Sequence, residues 1–152
     1  MSLILVVCTA NVCRSPMAAG LLRQRLAVDK ANARHRVLSA GVWAADGEPA
    51  SENAVAAMAE RGIDISDHRS HSLTNEEVAE ADLILVMTRE HARLVRQTWP
   101  QYAWKVYLLS EMTGKRRDVK DPYRGPIEEY RACASTMSRY IDDGLPRIVQ
   151  SL

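Results

Sequence analysis

Residues 3–16 read LILVVCTANVCRSP: an apolar run, then a short loop holding two of the chain's three cysteines and an arginine, then Ser-Pro. Apolar residues without alternation fit a strand buried on both faces, as in a parallel sheet. Ser15-Pro16 reads as a helix start, with Pro16 at the first helical position, where its missing N–H costs nothing. The stretch is therefore strand, loop, helix. Its loop lies at a strand's carboxyl end, where parallel sheets bind their ligands.

The same alternation recurs downstream. RVLSA at 36–40 reads as a second strand closed by Gly41, LILVM at 83–87 as a third and KVYLL at 105–109 as a fourth. Between them, SENAVAAMAERG is a helix with Ser51 as cap and Gly62 as stop. LTNEEVAEAD is a short capped helix, and TREHARLVRQTW a helix that ends before Pro100. Residues 111–126 form a loop rich in Gly, Pro and charge. From Pro126 onward Tyr130, Ala134, Met137, Ile141 and Leu145 keep a helical stripe, with an interruption expected near Gly144 and Pro146. The predicted fold class is α/β: a single domain over 1–152 with a four-stranded parallel sheet and helices on both faces.

Length and composition narrow the function. At 152 residues the chain can bury a core without disulfides or a structural metal. Twenty Lys plus Arg against nineteen Asp plus Glu leave a net charge of +1, which argues against a nucleic-acid partner held by charge. The basic run GKRRDVK at 114–120 has no interleaved aromatics and reads as a solvated loop near an anionic substrate. Three cysteines are too few for a secreted disulfide framework, so a cytoplasmic protein with reduced thiols is expected. LILVVCTA lacks a charged leader and is too short to span a bilayer, so no membrane association is expected.

The loop itself is suited to an anion. Successive amides running from a strand end into a helix N-terminus can converge on a tetrahedral oxyanion. Thr9, Ala10 and Asn11 are small enough to permit that curl, and Asn11 tolerates a left-handed backbone. Arg14 adds a planar fork able to grip two phosphate oxygens. The same field favours the anionic, nucleophilic form of the Cys8 sulfur, and Ser15 is near enough in sequence to turn its hydroxyl back toward it. Thr9, Ala10, Asn11, Val12, Cys13, Arg14 and Ser15 together make a phosphate-binding loop after strand 1. A cysteine ending a buried strand is by itself usually an inert small hydrophobe. Zinc is a weaker reading still, because four residues separate Cys8 from Cys13 and no second cysteine pair exists.

A second segment gives the loop its chemistry. Sulfur attack on a phosphate ester expels an oxyanion that needs a proton from a positioned acid. KDPYRGP at 120–126 offers Asp121, whose backbone Pro122 restricts to extended geometry, and Tyr123 as an aromatic wall. With amides and Arg14 stabilising the phosphoryl oxygens, the scheme leaves no task for a metal or other cofactor, and none is expected.

VCTANVCRSP near the start and DPY near the end resemble the low-molecular-weight protein tyrosine phosphatase family, a similarity that runs from strand 1 to the last helix. The resemblance implies Cys8 as nucleophile, Arg14 as phosphoryl ligand and Asp121 as general acid and base. It also implies a network of Asn11, Ser15, Ser39 in SAG and His68 in DHRS that shapes the loop. Trp43 and Tyr123, with Val12, resemble walls that guide a phenyl ring inward. The implied partners are phosphotyrosine-containing proteins or peptides and a cognate tyrosine kinase, met by a monomeric enzyme. Two positions depart from the family's common pattern. Ala10 stands where many members carry Gly, so it should keep a negative φ, and Arg124 replaces a tyrosine often found after DPY.

Particular residues bear on three rival functions. Arsenate reductases of this fold relay oxidation through a late cysteine pair, whereas only Cys133 lies late in this chain, on a helix beside the apolar stripe. Protein-arginine phosphatases of the same family tend to place a threonine at the position of Val12, and an apolar β-branched residue there suits a phenyl ring better. A redox sensor or phosphate-binding module without turnover would not need nucleophile, arginine and acid together. Cys13 has two readings, a packing residue or the partner of Cys8 in a reversible disulfide.

Overall fold

A computed structural model describes residues 1–152. Strands β1 (Leu3–Cys8), β2 (Arg36–Gly41), β3 (Leu83–Val86) and β4 (Val106–Leu108) form one sheet in the order β2-β1-β3-β4, every pair parallel. Helices α1 (Arg14–Ala27), α2 (Glu52–Ala59), α3 (Asn75–Glu80), α4 (Arg89–Thr98) and α5 (Ile127–Gln150) cover it. All six residues of β1 are buried, which is why its sequence shows no alternation. Ile4, Val6 and Cys8 join one apolar cluster with α1, α2 and α5; Leu3, Leu5 and Val7 join a second with α3 and α4. The chain leaves β1 toward β2 on one side and later returns to β3 on the other. The β1 carboxyl end is therefore the switch point of the sheet, the place where such folds bind ligands. No helix is long and apolar enough to cross a membrane.

Several boundaries differ from the sequence reading for physical reasons. Helix α1 begins at Arg14 with Cys13 as its cap residue, so Pro16 is the third helical residue rather than the first. It is tolerated there because the first four N–H groups of a helix have no intrahelical acceptor. Ser51 precedes α2 but its hydroxyl makes no cap bond; it turns to Cys13 and Tyr130 instead. Strand β4 is two residues shorter than KVYLL. Lys105 ends a 3-10 turn over Pro100–Lys105, buried with its ammonium donating to the Ala79 and Ala81 carbonyls, and Leu109 opens a second turn over Leu109–Thr113.

The expected break near Gly144 and Pro146 does not occur, and α5 continues to Gln150. Tertiary packing outweighs the roughly 3 kcal/mol penalty of an internal proline. Ile141 and Ile148 are buried on either side of it, and Gly144 lets the helix close on Met112, where a Cβ would lie 2.6 Å from the Met112 Cβ.

Candidate active site

The loop between β1 and α1 is curled by one unusual backbone angle. Asn11 takes φ 60°, while Ala10 stays out of the left-handed region. Left-handed geometry costs a non-glycine residue free energy, and here the Asn11 side chain supplies the offsetting bonds. Its Nδ2 donates to Ser15 Oγ at 2.8 Å and Ser39 Oγ at 3.0 Å, and its Oδ1 accepts from the His71 amide at 3.1 Å. His68 lies 2.6 Å through Nε2 from the Asn11 carbonyl oxygen. A carbonyl can only accept, so Nε2 carries the proton. Burial pushes the His68 pKa down, with Arg23, His71 and Arg69 adding to the effect against the Asn11 bond.

Cys8 ends β1 with its sulfur 3.0 Å from Ser15 Oγ. That oxygen accepts from Asn11, and its one hydrogen has two acceptors in reach, the sulfur and, farther at 3.4 Å, the Ala40 carbonyl. Arg14, buried in the first turn of α1, donates through Nη1 to the Val119 carbonyl at 3.0 Å. Its Nη2 lies 3.4 Å from Asp121 Oδ2, a contact between a side chain only 7% exposed and one 48% exposed. Water screens so exposed a carboxylate, so the contact orients Asp121 more than it stabilises the fold. Asp121 Oδ1 accepts from the Tyr123 amide at 3.0 Å, as an Asp beside a turn does.

Cys8, Thr9, Ala10, Val12, Cys13 and Arg14 from the loop and Asp121 and Tyr123 from the later segment line one pocket of about 240 Å³. The residues read as nucleophile, phosphoryl ligand and acid thus meet, although more than a hundred positions separate Arg14 and Asp121. Trp43 does not join that lining. It is 85% exposed, tied to the loop through its amide, which donates to the Thr9 carbonyl at 3.0 Å. Arg124, also at positive φ, lays its guanidinium 5.3 Å from the Tyr123 ring centre.

The remaining thiols are buried. Cys13 Sγ is 3.3 Å from Ser51 Oγ and 3.6 Å from the Tyr130 hydroxyl, and burial pushes its pKa up. Burial holds Cys133 as a thiol, pushed up to about 12.

Three features escaped the sequence reading. Gly41 stands opposite Cys8 in the β1–β2 register, against the back of the loop. The Val119 carbonyl anchors Arg14, and a backbone acceptor has no sequence signature. His91, buried in the first turn of α4, has Nε2 2.8 Å from Thr9 Oγ1. The sheet order, which places α4 just after the strand beside β1, was the signal that could have found it.

The sequence and fold that build this pocket recur among known proteins. The probable low molecular weight protein-tyrosine-phosphatase EpsP of Ralstonia nicotianae is 42% identical over 145 residues, 95% of this chain and 94% of that protein. The protein-arginine-phosphatase of Geobacillus stearothermophilus is 40% identical over 140 residues, 91% and 90% of the two chains. The crystal structure of a low molecular weight protein tyrosine phosphatase from T. tengcongensis superposes with a TM-score of 0.91 at 40% identity, covering 97% of this chain and 99% of that one. With residues 3–150 also matching the family described as low molecular weight phosphotyrosine protein phosphatase, this chain belongs to that family.

Proposed function

We propose that the chain hydrolyses phosphotyrosine in proteins or peptides through a phosphocysteine at Cys8. The observation that carries this reading is the single pocket in which Cys8, Arg14 and Asp121 converge. Cys8 sulfur attacks phosphorus; an S–P bond forms and the P–O bond to the phenol breaks. Asp121 gives its proton to the departing oxygen. The resulting carboxylate takes a proton from water as that water attacks phosphorus, the S–P bond breaks and inorganic phosphate leaves. Loop amides from Thr9 to Ser15 and the Arg14 fork hold the non-bridging oxygens throughout, so no divalent ion is required. The Ser15 hydroxyl, 3.0 Å from the sulfur, stabilises it as attacking and as leaving group. Asn11, Ser39 and His68 keep the loop curled, and Val12 and Tyr123 flank the ring.

The same reading makes residues 1–152 one phosphatase domain, acting as a monomer in the cytoplasm opposite a cognate tyrosine kinase. Cys13 keeps two readings beside it: a packing residue, or the thiol that condenses with a Cys8 sulfenic acid made by a peroxide, losing water, to a disulfide that a thiol reductant reopens. A second reading, hydrolysis of phosphoarginine, is favoured by the likeness to the Geobacillus stearothermophilus arginine phosphatase. Val12 decides between them. Its methyl groups give a ring a dry surface, while a buried guanidinium N–H without a partner loses roughly 1–3 kcal/mol.

The test is turnover of phosphotyrosine, phosphoarginine and phosphoserine by one preparation, with and without EDTA. Phosphotyrosine should give the highest kcat/KM, EDTA should leave it unchanged, and Val12→Thr should move the ratio toward phosphoarginine. Preference for phosphoarginine by the wild type would overturn the substrate assignment. Full activity in Cys8→Ser would overturn the mechanism.

A further inference from the structure

His91 is a buried polar group for which the two hydrolytic steps have no task. Thr88 places it by capping α4: its Oγ1 accepts from the His91 amide at 3.1 Å, fixing the imidazole in the first helical turn. The residue is 4% exposed. Its Nε2 lies 2.8 Å from Thr9 Oγ1, and its Nδ1 is buried with no hydrogen-bond partner. Thr9 Oγ1 in turn accepts from Arg14 Nη2 at 3.5 Å, the nitrogen that also faces Asp121. The chain of contacts runs from α4 through the loop hydroxyl to the phosphoryl-binding guanidinium.

Hydrogen bonding decides which nitrogen carries the proton. Were the Thr9 hydroxyl the donor, the proton of a neutral imidazole would sit on Nδ1, leaving a buried N–H with no acceptor. Buried N–H groups are almost never orphaned in folded proteins. A proton on Nε2 avoids that, donating to Thr9 and leaving only a bare lone pair at Nδ1. Burial and the Arg14 charge push His91 down to about 4, against the opposing pull of Asp118, Asp121 and Glu90, so the ring is neutral near pH 7.

We propose that His91 is a positioning residue for phosphoryl transfer: as the neutral Nε2–H tautomer it donates to Thr9 and thereby fixes the hydroxyl that Arg14 leans on. Both Thr9 lone pairs are then occupied, by His91 and by Arg14. The hydroxyl hydrogen is left for an oxygen in the pocket that Thr9 lines, which gives the bound phosphoryl group one donor beyond the amides and the arginine.

The proposal rests on the phosphatase reading above, and its test separates the two. Nitrogen-15 spectroscopy of the wild-type ring at pH 7, with and without inorganic phosphate, should show an Nε2–H tautomer whose signals shift on phosphate addition. An Nδ1–H tautomer, a charged ring, or signals indifferent to bound phosphate would overturn the proposal whatever the enzyme turns over. With p-nitrophenyl phosphate, whose leaving group needs little acid help, His91→Met and Thr9→Val should each lower kcat/KM roughly tenfold, the size of one lost hydrogen bond. Each should weaken competitive inhibition by inorganic phosphate by a similar factor. Combining them should cost no more than either alone, and His91→Gln, which restores a donor, should recover most of the loss. Additive effects, or an unchanged inhibition constant, would reduce His91 to a packing residue. Failure of the wild type to turn over any phosphate ester would instead defeat the functional reading.

Discussion

The loop between β1 and α1 can be disturbed without changing any residue in it. A Cβ on Gly41 would lie 2.4 Å from the Thr9 carbonyl oxygen, 2.8 Å from the Ala44 Cβ and 3.2 Å from the Asn11 Cβ. Carbon and oxygen in contact keep roughly 3.3 Å apart, so in Gly41→Ala the Thr9 peptide must retreat by about 0.9 Å. It cannot do so freely, because its oxygen accepts from the Trp43 amide at 3.0 Å. Overpacking of this kind costs about 1–3 kcal/mol, and blockage by backbone places this case in the upper half. The reduced freedom of the unfolded chain returns about 0.4–1 kcal/mol. A net loss of about 2 kcal/mol follows, and with a urea m-value of roughly 2 kcal/mol/M the midpoint falls by about 1 M. A domain of ordinary stability remains folded after that loss, so activity reports the loop itself. A shift near 1 Å in a catalytic frame costs roughly a hundredfold in kcat/KM. Urea unfolding and phosphotyrosine kinetics on one preparation check both figures. A midpoint within about 0.2 M of wild type together with kcat/KM within about twofold would refute the steric reasoning.

Three further outcomes are expected. Asp121→Asn should lower kcat for phosphotyrosine about 10²- to 10⁴-fold while sparing phosphate binding; an unchanged kcat would mean that another group is the acid. His91 is lowered from 6.5 to about 4 in the folded chain, so the unfolded state takes up the proton first as pH falls. The stability it contributes is fully present above pH 6.5 and is lost progressively toward about pH 4. That gap is worth at most roughly 3–4 kcal/mol. The urea midpoint of the wild type should therefore fall relative to that of His91→Gln between pH 7.5 and 4.5, and parallel curves would contradict the assignment. Gly144→Ala sets a gain of about 1 kcal/mol in helix propensity against a Cβ 2.6 Å from the Met112 Cβ and 3.1 Å from the Met112 backbone. Overpacking should win by about 1 kcal/mol, lowering Tm by roughly 2–4 °C with kcat/KM unchanged, and a rise in Tm would show that the α5 contact yields more easily than its distances imply.

Legibility in the sequence followed the range of the interactions involved. The strands at Leu3–Cys8 and Leu83–Val86 announce themselves because burial on both faces demands apolar residues at every position. Cys8, Asn11, Arg14 and Ser15 were readable together because one loop holds them all. Asp121 gained meaning only from its pairing with that loop. What the sequence concealed depends on approach in space. Nothing local distinguishes His91 from a surface helical histidine until the sheet order brings the start of α4 beside the loop that follows β1. Gly41 looks like a strand terminator, although its lack of a side chain matters to Thr9 and Asn11 across the register. The continuous α5 was misread because local propensity favours a break at Gly144 and Pro146, whereas burial of Ile141 and Ile148 is a property of the assembled core.

The segment that carries Asp121 is fastened along its length. The Val119 amide donates to the Met87 carbonyl at the end of β3, at 2.8 Å, and the Val119 carbonyl holds Arg14. Beyond Asp121, the Gly125 amide closes a turn on Pro122 at 2.8 Å, and Asn53 of α2 reaches the Gly125 carbonyl at 3.3 Å. Many enzymes assemble their acid by swinging a lid shut over the substrate, and the microsecond-to-millisecond motion then limits turnover. In the proposed mechanism, a carboxylate tied on both sides to the rim of the sheet needs no such journey. The chemical step proposed for Cys8 and Asp121 should then be indifferent to the viscosity of the medium.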